Sequence, residues 1–353
     1  MTPDRSADVV VVGAGQAGLS TAWFLRKYAV PYVVLDAGER PGGAWAHRWP
    51  SLRLAGTNHV HDLPGVPLRD PDPCRPAAEV VPEYFAAYER DLGLPVLRPV
   101  RVTAVREAGD GRLLVESSAG TRSARALVNA TGTWTRPFWP AFPGRGAFRG
   151  RQLHTADYPG PGPFRGERVL VVGGGISAVQ HLMDLATVGA RTTWATRRPP
   201  LWRETPWDVD AGRTAVAQVE EAVRAGRPPE SVVSVTGLPV TDDVRAARAA
   251  GVLDRLPMPA RLVEDGAVWP DGTRRPYDAV LWATGFRAAL EHLAPLGLRE
   301  PGGGIRMEGT RVARDPRVHL VGYGPSASTI GANRAGRAVV RDLLDLLGRP
   351  AAA

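Results

Sequence analysis

The chain has 353 residues, 44% of them hydrophobic and 23% charged, an ordinary balance for a globular protein of two domains or one large α/β unit. Basic residues exceed acidic ones by 44 to 36, giving a formal charge of +8; the sole lysine is Lys27, so the excess is carried by arginine. A single cysteine, Cys74, excludes an intramolecular disulfide framework, a cysteine-rich metal cluster and a redox-active dithiol within the chain. No apolar run reaches the ~18 residues of a membrane span. The polar start at Met1–Ala7 shows no signal-peptide pattern, so a cytoplasmic protein is expected.

In chain order, residues 8–12 form an apolar β-branched strand, 16–28 a helix and 32–36 a second buried strand: a βαβ unit. Residues 40–82 are rich in Pro, Gly, Arg and Asn and too long for a plain connection; they read as a functional loop region over a cofactor. A helix over 83–92 and a strand meander within 96–130 follow. After a proline- and glycine-rich crossing at 136–166 the opening pattern recurs: strand 168–172, helix 176–188, strand 191–196. Residues 201–260 read as helix broken by prolines, 262–269 as a hairpin, 277–285 as a strand, 317–322 as a last strand and 331–347 as a last helix.

Two glycine turns carry the chemistry. The first, Gly13-Ala14-Gly15-Gln16-Ala17-Gly18, is G-x-G-x-x-G between a strand and a helix. Its first glycine makes the turn, its second admits a pyrophosphate and its third lets helix and strand pack. The helix N-terminus adds amide donors. Asp36, ending the next strand, is placed to accept from ribose hydroxyls. The second turn, Gly173-Gly174-Gly175-Ile176-Ser177-Ala178, is G-x-G-x-x-A, and Arg197 and Arg198 follow its second strand where an acid would stand. Arginines there pair with a 2′-phosphate, which favours NADPH over NADH. Two such sites imply two dinucleotides, NADPH and FAD. The expected architecture is α/β with two Rossmann-like domains: an FAD domain over 1–150 that resumes at 277–353, and an NADPH domain inserted over 151–276.

The segment between the two turns, Phe148-x-Gly150-x-x-x-His154-x-x-x-Tyr158, resembles the fingerprint of class B flavoprotein monooxygenases, which include flavin-containing, YUCCA-type and Baeyer–Villiger enzymes. Tyr158, where Baeyer–Villiger enzymes typically carry Trp, leans toward the N/S-oxygenating and YUCCA-like branches, while Pro159 is shared with the Baeyer–Villiger pattern. Other segments match the same family: Gly42-Gly43-Ala44-Trp45, Trp49-Pro50-Ser51-Leu52, the linker Ala130-Thr131-Gly132 with Trp134, and Ala283-Thr284-Gly285-Phe286. The resemblance spans nearly the whole chain and is weakest across 205–260.

It implies an enzyme in which NADPH reduces FAD, O2 forms a C4a-(hydro)peroxyflavin, and one oxygen atom passes to a small organic substrate with nitrogen, sulfur or carbonyl character. The alternative is an NAD(P)H-dependent flavoprotein that passes electrons on without oxygen insertion. Neither a nucleic-acid nor a membrane partner is expected, and the oligomeric state is left open. Where the family has a catalytic asparagine this chain has Ala55, so that residue does not carry over. Asn58, with His59 and His61, is the candidate contact to the reacting centre, against a reading as turn chemistry. His154 is the second candidate, with orientation of the linker favoured over general-base work. Gly322 and Gly331 are expected beside the flavin, with the N-terminus of the last helix, near the Ser328–Asn333 stretch, toward the pyrimidine end. Trp202 and Trp207 are the best substrate candidates among the tryptophans. No metal site is expected.

Overall fold

The computed structural model describes residues 6–57, 59–204, 209–229 and 237–349. The first βαβ unit forms as the pattern predicts: strand Ser6–Val12, helix Gln16–Lys27, strand Tyr32–Leu35. These strands are parallel and in register at Val11 with Val34, and Ser6–Val12 also pairs in parallel with Gly120–Asn129. Val9, Val10 and Val11 are fully buried because helices pack on one face and the strands around Val105 and Val115, with the Leu290–Leu298 segment, on the other, which is why the run is continuously apolar. The sheet extends to nine strands, through Val96–Leu97 on one side and Asp315–Leu320 on the other.

A second sheet has five parallel strands in the order Arg255–Pro257, Arg191–Thr196, Arg168–Val172, Ala279–Trp282, Arg151–His154. The strand expected at 277–285 forms over Ala279–Trp282 but pairs here, between Arg168–Val172 and Arg151–His154, and not in the first sheet. Strand pairing thus keeps the chain with the second sheet through Trp282, past the expected boundary at 277. A short apolar run suits either sheet, and only the pairing partner decides.

Two helices also begin earlier than their patterns indicate. The helix expected at 83–92 spans Ala77–Asp91, with Pro82 inside it. The last helix, expected over 331–347, starts at Thr329, because the Ser328 hydroxyl accepts from the Gly331 amide at 3.1 Å and caps it. This helix lies on Gln16–Lys27 at close range: a Cβ on Gly336 would stand 2.5 Å from Ser20 Oγ. The loop at 49–52 sits in the second unit's core, where Trp49 and Leu52 pack with Leu182 and Leu281.

Candidate functional site

The first glycine turn is closed on two sides and open on the third. A Cβ at Gly13 (φ +100°) would lie 2.5 Å from the Ala130 carbonyl oxygen, and one at Gly18 1.9 Å from that of Gly13. A Cβ at Gly15 would meet nothing within 4 Å. Gly15 is the N-cap of the first helix, and no side chain caps it, so the leading amides are left for a ligand. The cradle fits a dinucleotide pyrophosphate. Gly43 lies over it, its Cβ position 2.9 Å from Gly15 Cα, which brings Ala44 and Trp45 to the same turn.

Asp36 engages the turn itself. Its carboxylate accepts from the Ala14 amide at 2.5 Å and the Gly38 amide at 2.7 Å, with Arg98 Nε at 3.4 Å. Gln16 donates to the His61 carbonyl (3.1 Å) and to Asn333 Oδ1 (3.0 Å), tying the first helix to the 59–62 loop and the last helix. Ala17 packs 3.5 Å from the Cβ position of Gly322, while that of Gly331 is filled by Ser328 and Pro325.

The second turn repeats the geometry. A Cβ at Gly173 would lie 2.1 Å from the Ala283 oxygen, Gly175 faces open space, and Ala178 is fully buried in the third place. Gly175 also caps its helix without a side-chain bond, and Ser177 lies in the first turn. Arg197 and Arg198 are exposed beyond the end of their strand, and among the described residues no carboxylate pairs with either.

Between the turns the two linkers run side by side. The Thr131 hydroxyl donates to the Ala289 carbonyl (2.7 Å) and that of Thr284 to the Phe138 carbonyl (2.5 Å). The amides of Ala289 and Phe138 donate to the carbonyls of Gly132 and Gly285. Trp134 stacks on Phe286, their ring centroids 4.9 Å apart.

His154 is fully buried. Its Nδ1 accepts from the Ala156 amide at 3.1 Å, so Nε2 carries the proton and donates to the Gly285 carbonyl at 3.0 Å. Burial holds its pKa below the ordinary histidine range. With both nitrogens engaged by backbone, the ring bridges the Ala156 turn and the second linker at Gly285. Asn58 lies outside the described residues, as does Trp207. His59 and His61 face each other with centroids 4.4 Å apart. Trp202 lies under the Arg248 guanidinium and beside Trp194.

Sequence reasoning missed a clasp across the two units. Asp184, on the helix of the second unit, accepts from Ser51 Oγ at 2.6 Å and from the Tyr158 hydroxyl at 2.9 Å. Beside it, buried His181 packs between Trp49 and Tyr158, and burial pushes its pKa down to about 3. Ser51 and Tyr158 stand in recognisable motifs, but Asp184 and His181 read as ordinary helix positions.

A family model described as pyridine nucleotide-disulphide oxidoreductase matches residues 10–224. A flavin-containing monooxygenase from Stenotrophomonas maltophilia is 40% identical, with a TM-score of 0.84 over 97% of this chain and 99% of that one. The indole-3-pyruvate monooxygenase YUCCA1 of Oryza sativa subsp. japonica is 34% identical over 53% of this chain and 47% of its own length. The aligned part thus spans about half the length of the first curated relatives. A cyclohexanone monooxygenase, 17% identical with a TM-score of 0.68, shares the fold.

Proposed function

This chain belongs to the flavin-containing monooxygenases within the wider pyridine nucleotide-disulphide oxidoreductase family, and from that premise we propose that it is an FAD-dependent enzyme that consumes NADPH and O2 and inserts one oxygen atom into a small organic substrate. The observation that carries this reading is the pair of glycine turns, each closed around its first glycine, open at its second and heading a helix with no side-chain cap. Cys74 is exposed and has no second cysteine in the chain, which separates it from dithiol chemistry on a shared fold.

In this reading the first sheet and last helix hold FAD through Gly13, Gly15 and Gly18. The second sheet, extended to its strand at Ala279–Trp282, holds NADPH through Gly173, Gly175 and the two arginines. Bound flavin supplies hydride acceptance and oxygen activation. The protein's share is positioning and water exclusion. The paired linkers set the relative placement of the two nucleotides, His154 locks the second linker through Gly285, and Asp184 holds the Trp49–Leu52 loop against the second unit.

Purified protein should carry FAD near one per chain, and anaerobic NADPH should bleach it within seconds, with NADH much slower. Protein that takes up no flavin, or flavin that NADPH leaves oxidised, contradicts the assignment.

A further inference from the structure

Among the described residues, Arg48 is a charge without an ion-pair partner. It follows the Gly43–His47 turn, and its guanidinium lies 4.8 Å from the Trp134 ring centroid and 5.4 Å from that of Trp45. Its Nε is shielded from solvent and has no hydrogen-bond partner, and among the described residues no carboxylate reaches it. Burial, with no opposing charge, lowers its pKa to about 10.

The contrast with Arg98 is instructive. That guanidinium is also largely enclosed, and the fold gives it Glu89 at 2.6 and 2.9 Å, with Asp36 at 3.4 Å from Nε. A desolvated cation without such a partner is costly, and two indole faces offset the cost only in part. The location is equally specific. Trp45 belongs to the turn that covers Gly15, Trp134 follows the first linker and stacks on Phe286 of the second, and the Arg48 charge is felt by His181 of the other unit. Arg48 therefore stands at the seam of the proposed cofactor cleft.

We propose that Arg48 is the receptor for a carboxylate on the organic substrate, so that the enzyme selects anionic acids over uncharged analogues. The inference rests on the monooxygenase reading, in which the glycine turns take both pyrophosphates and Arg197 and Arg198 the 2′-phosphate; the substrate's anion is the one left to serve. A planar guanidinium beside two indoles can offer parallel N–H donors to a carboxylate in a water-poor setting, where such pairs are strong.

The test uses the flavin-loaded enzyme and two probes of one shape, (phenylthio)acetate and (phenylthio)acetamide. Binding is followed by calorimetry and by the perturbation of flavin absorbance. Wild type should bind the acid at least ~10-fold more tightly than the amide. Arg48→Gln should abolish that preference by weakening the acid ~10- to 100-fold, with the amide and NADPH unchanged, and Arg48→Lys should fall between. Matching flavin content and melting temperature establish that the variants are folded. Equal binding of acid and amide to wild type, absence of acid binding, or equal weakening of both probes in Arg48→Gln would overturn the proposal. So would a loss confined to NADPH, since the anion served would then be the cofactor's phosphate. Should an acid preference that depends on Arg48 persist without oxygen insertion, only the monooxygenase reading fails.

Discussion

At the scale of single residues, Gly15 and Gly18 make opposite predictions from the same motif. Gly15 has φ −84° and ψ −169°, which any residue adopts, and open space at its Cβ position. Gly15→Ala should fold with an apo melting temperature near wild type, yet bind FAD at least ~100-fold more weakly, because its methyl occupies the cradle. Gly18→Ala places a methyl 1.9 Å from a backbone oxygen and should destabilise the protein itself, by about 3 kcal/mol or more. Thermal melts with and without FAD separate the two. Arg197 and Arg198, which no carboxylate among the described residues pairs, lead to a second expectation: replacing both with Ala raises the KM for NADPH about tenfold or more and leaves NADH unchanged, since a charge-assisted hydrogen bond is worth roughly 1.5–3 kcal/mol before solvent screening. Equal effects on both cofactors would remove the 2′-phosphate assignment. Glycine roles were legible in the sequence because spacing encodes them. Arg48 was not, because one arginine among 43 carries no mark until its missing partner is seen. Asp36 was singled out by its place at the end of the second strand, but its hold on the Ala14 and Gly38 amides depends on how the turn folds back.

At the scale of elements, sequence patterns identified strands and helices well and their partners poorly. Pro82 reads as a break, yet it sits inside the Ala77–Asp91 helix with its ring against Gly42, whose Cβ position is 2.7 Å away. Tertiary packing there outweighs the helix penalty of proline. The Ala279–Trp282 strand is apolar throughout because both its faces are packed, Ala279 and Leu281 in one core and Val280 and Trp282 in another, and its choice of sheet is non-local information. The clasp at Asp184 is likewise assembled from three distant segments. Its carboxylate takes two hydroxyl donors, so Asp184→Asn removes charge-assisted bonds that hold the Trp49–Leu52 loop to the second unit. The expected outcome is uncoupling: several-fold more hydrogen peroxide per NADPH oxidised, with the KM for NADPH within about twofold. Unchanged coupling would show that the clasp does not control the cleft.

At the scale of the whole molecule, buried histidines set the acid limit of stability. Burial lowers His181 to about 3, and His292 and His319 to about 4, against ~6.5 in the unfolded chain. Below pH ~6.5 the unfolded state therefore binds protons that the folded state refuses, so stability is complete above that pH and lost as pH falls toward 4. Each such histidine contributes up to ~1.4 kcal/mol per pH unit, and the three together up to about 4. Denaturant midpoints should fall steeply between pH 6 and 4, and His292→Gln should flatten the slope by about a third. A midpoint independent of pH over that range would contradict the burial of these groups.

The central claim concerns two nucleotide sites joined by paired linkers and used to place oxygen on a substrate. It is tested most directly by supplying flavin-loaded enzyme with NADPH, 18O2 and a panel of thioethers, amines, ketones and organic acids, and following the label by mass spectrometry. One labelled oxygen atom is expected in an organic product for each NADPH consumed, the other leaving as water. Complete recovery of the label as hydrogen peroxide across the panel, or oxidation of NADPH that requires an electron acceptor other than O2, would contradict it.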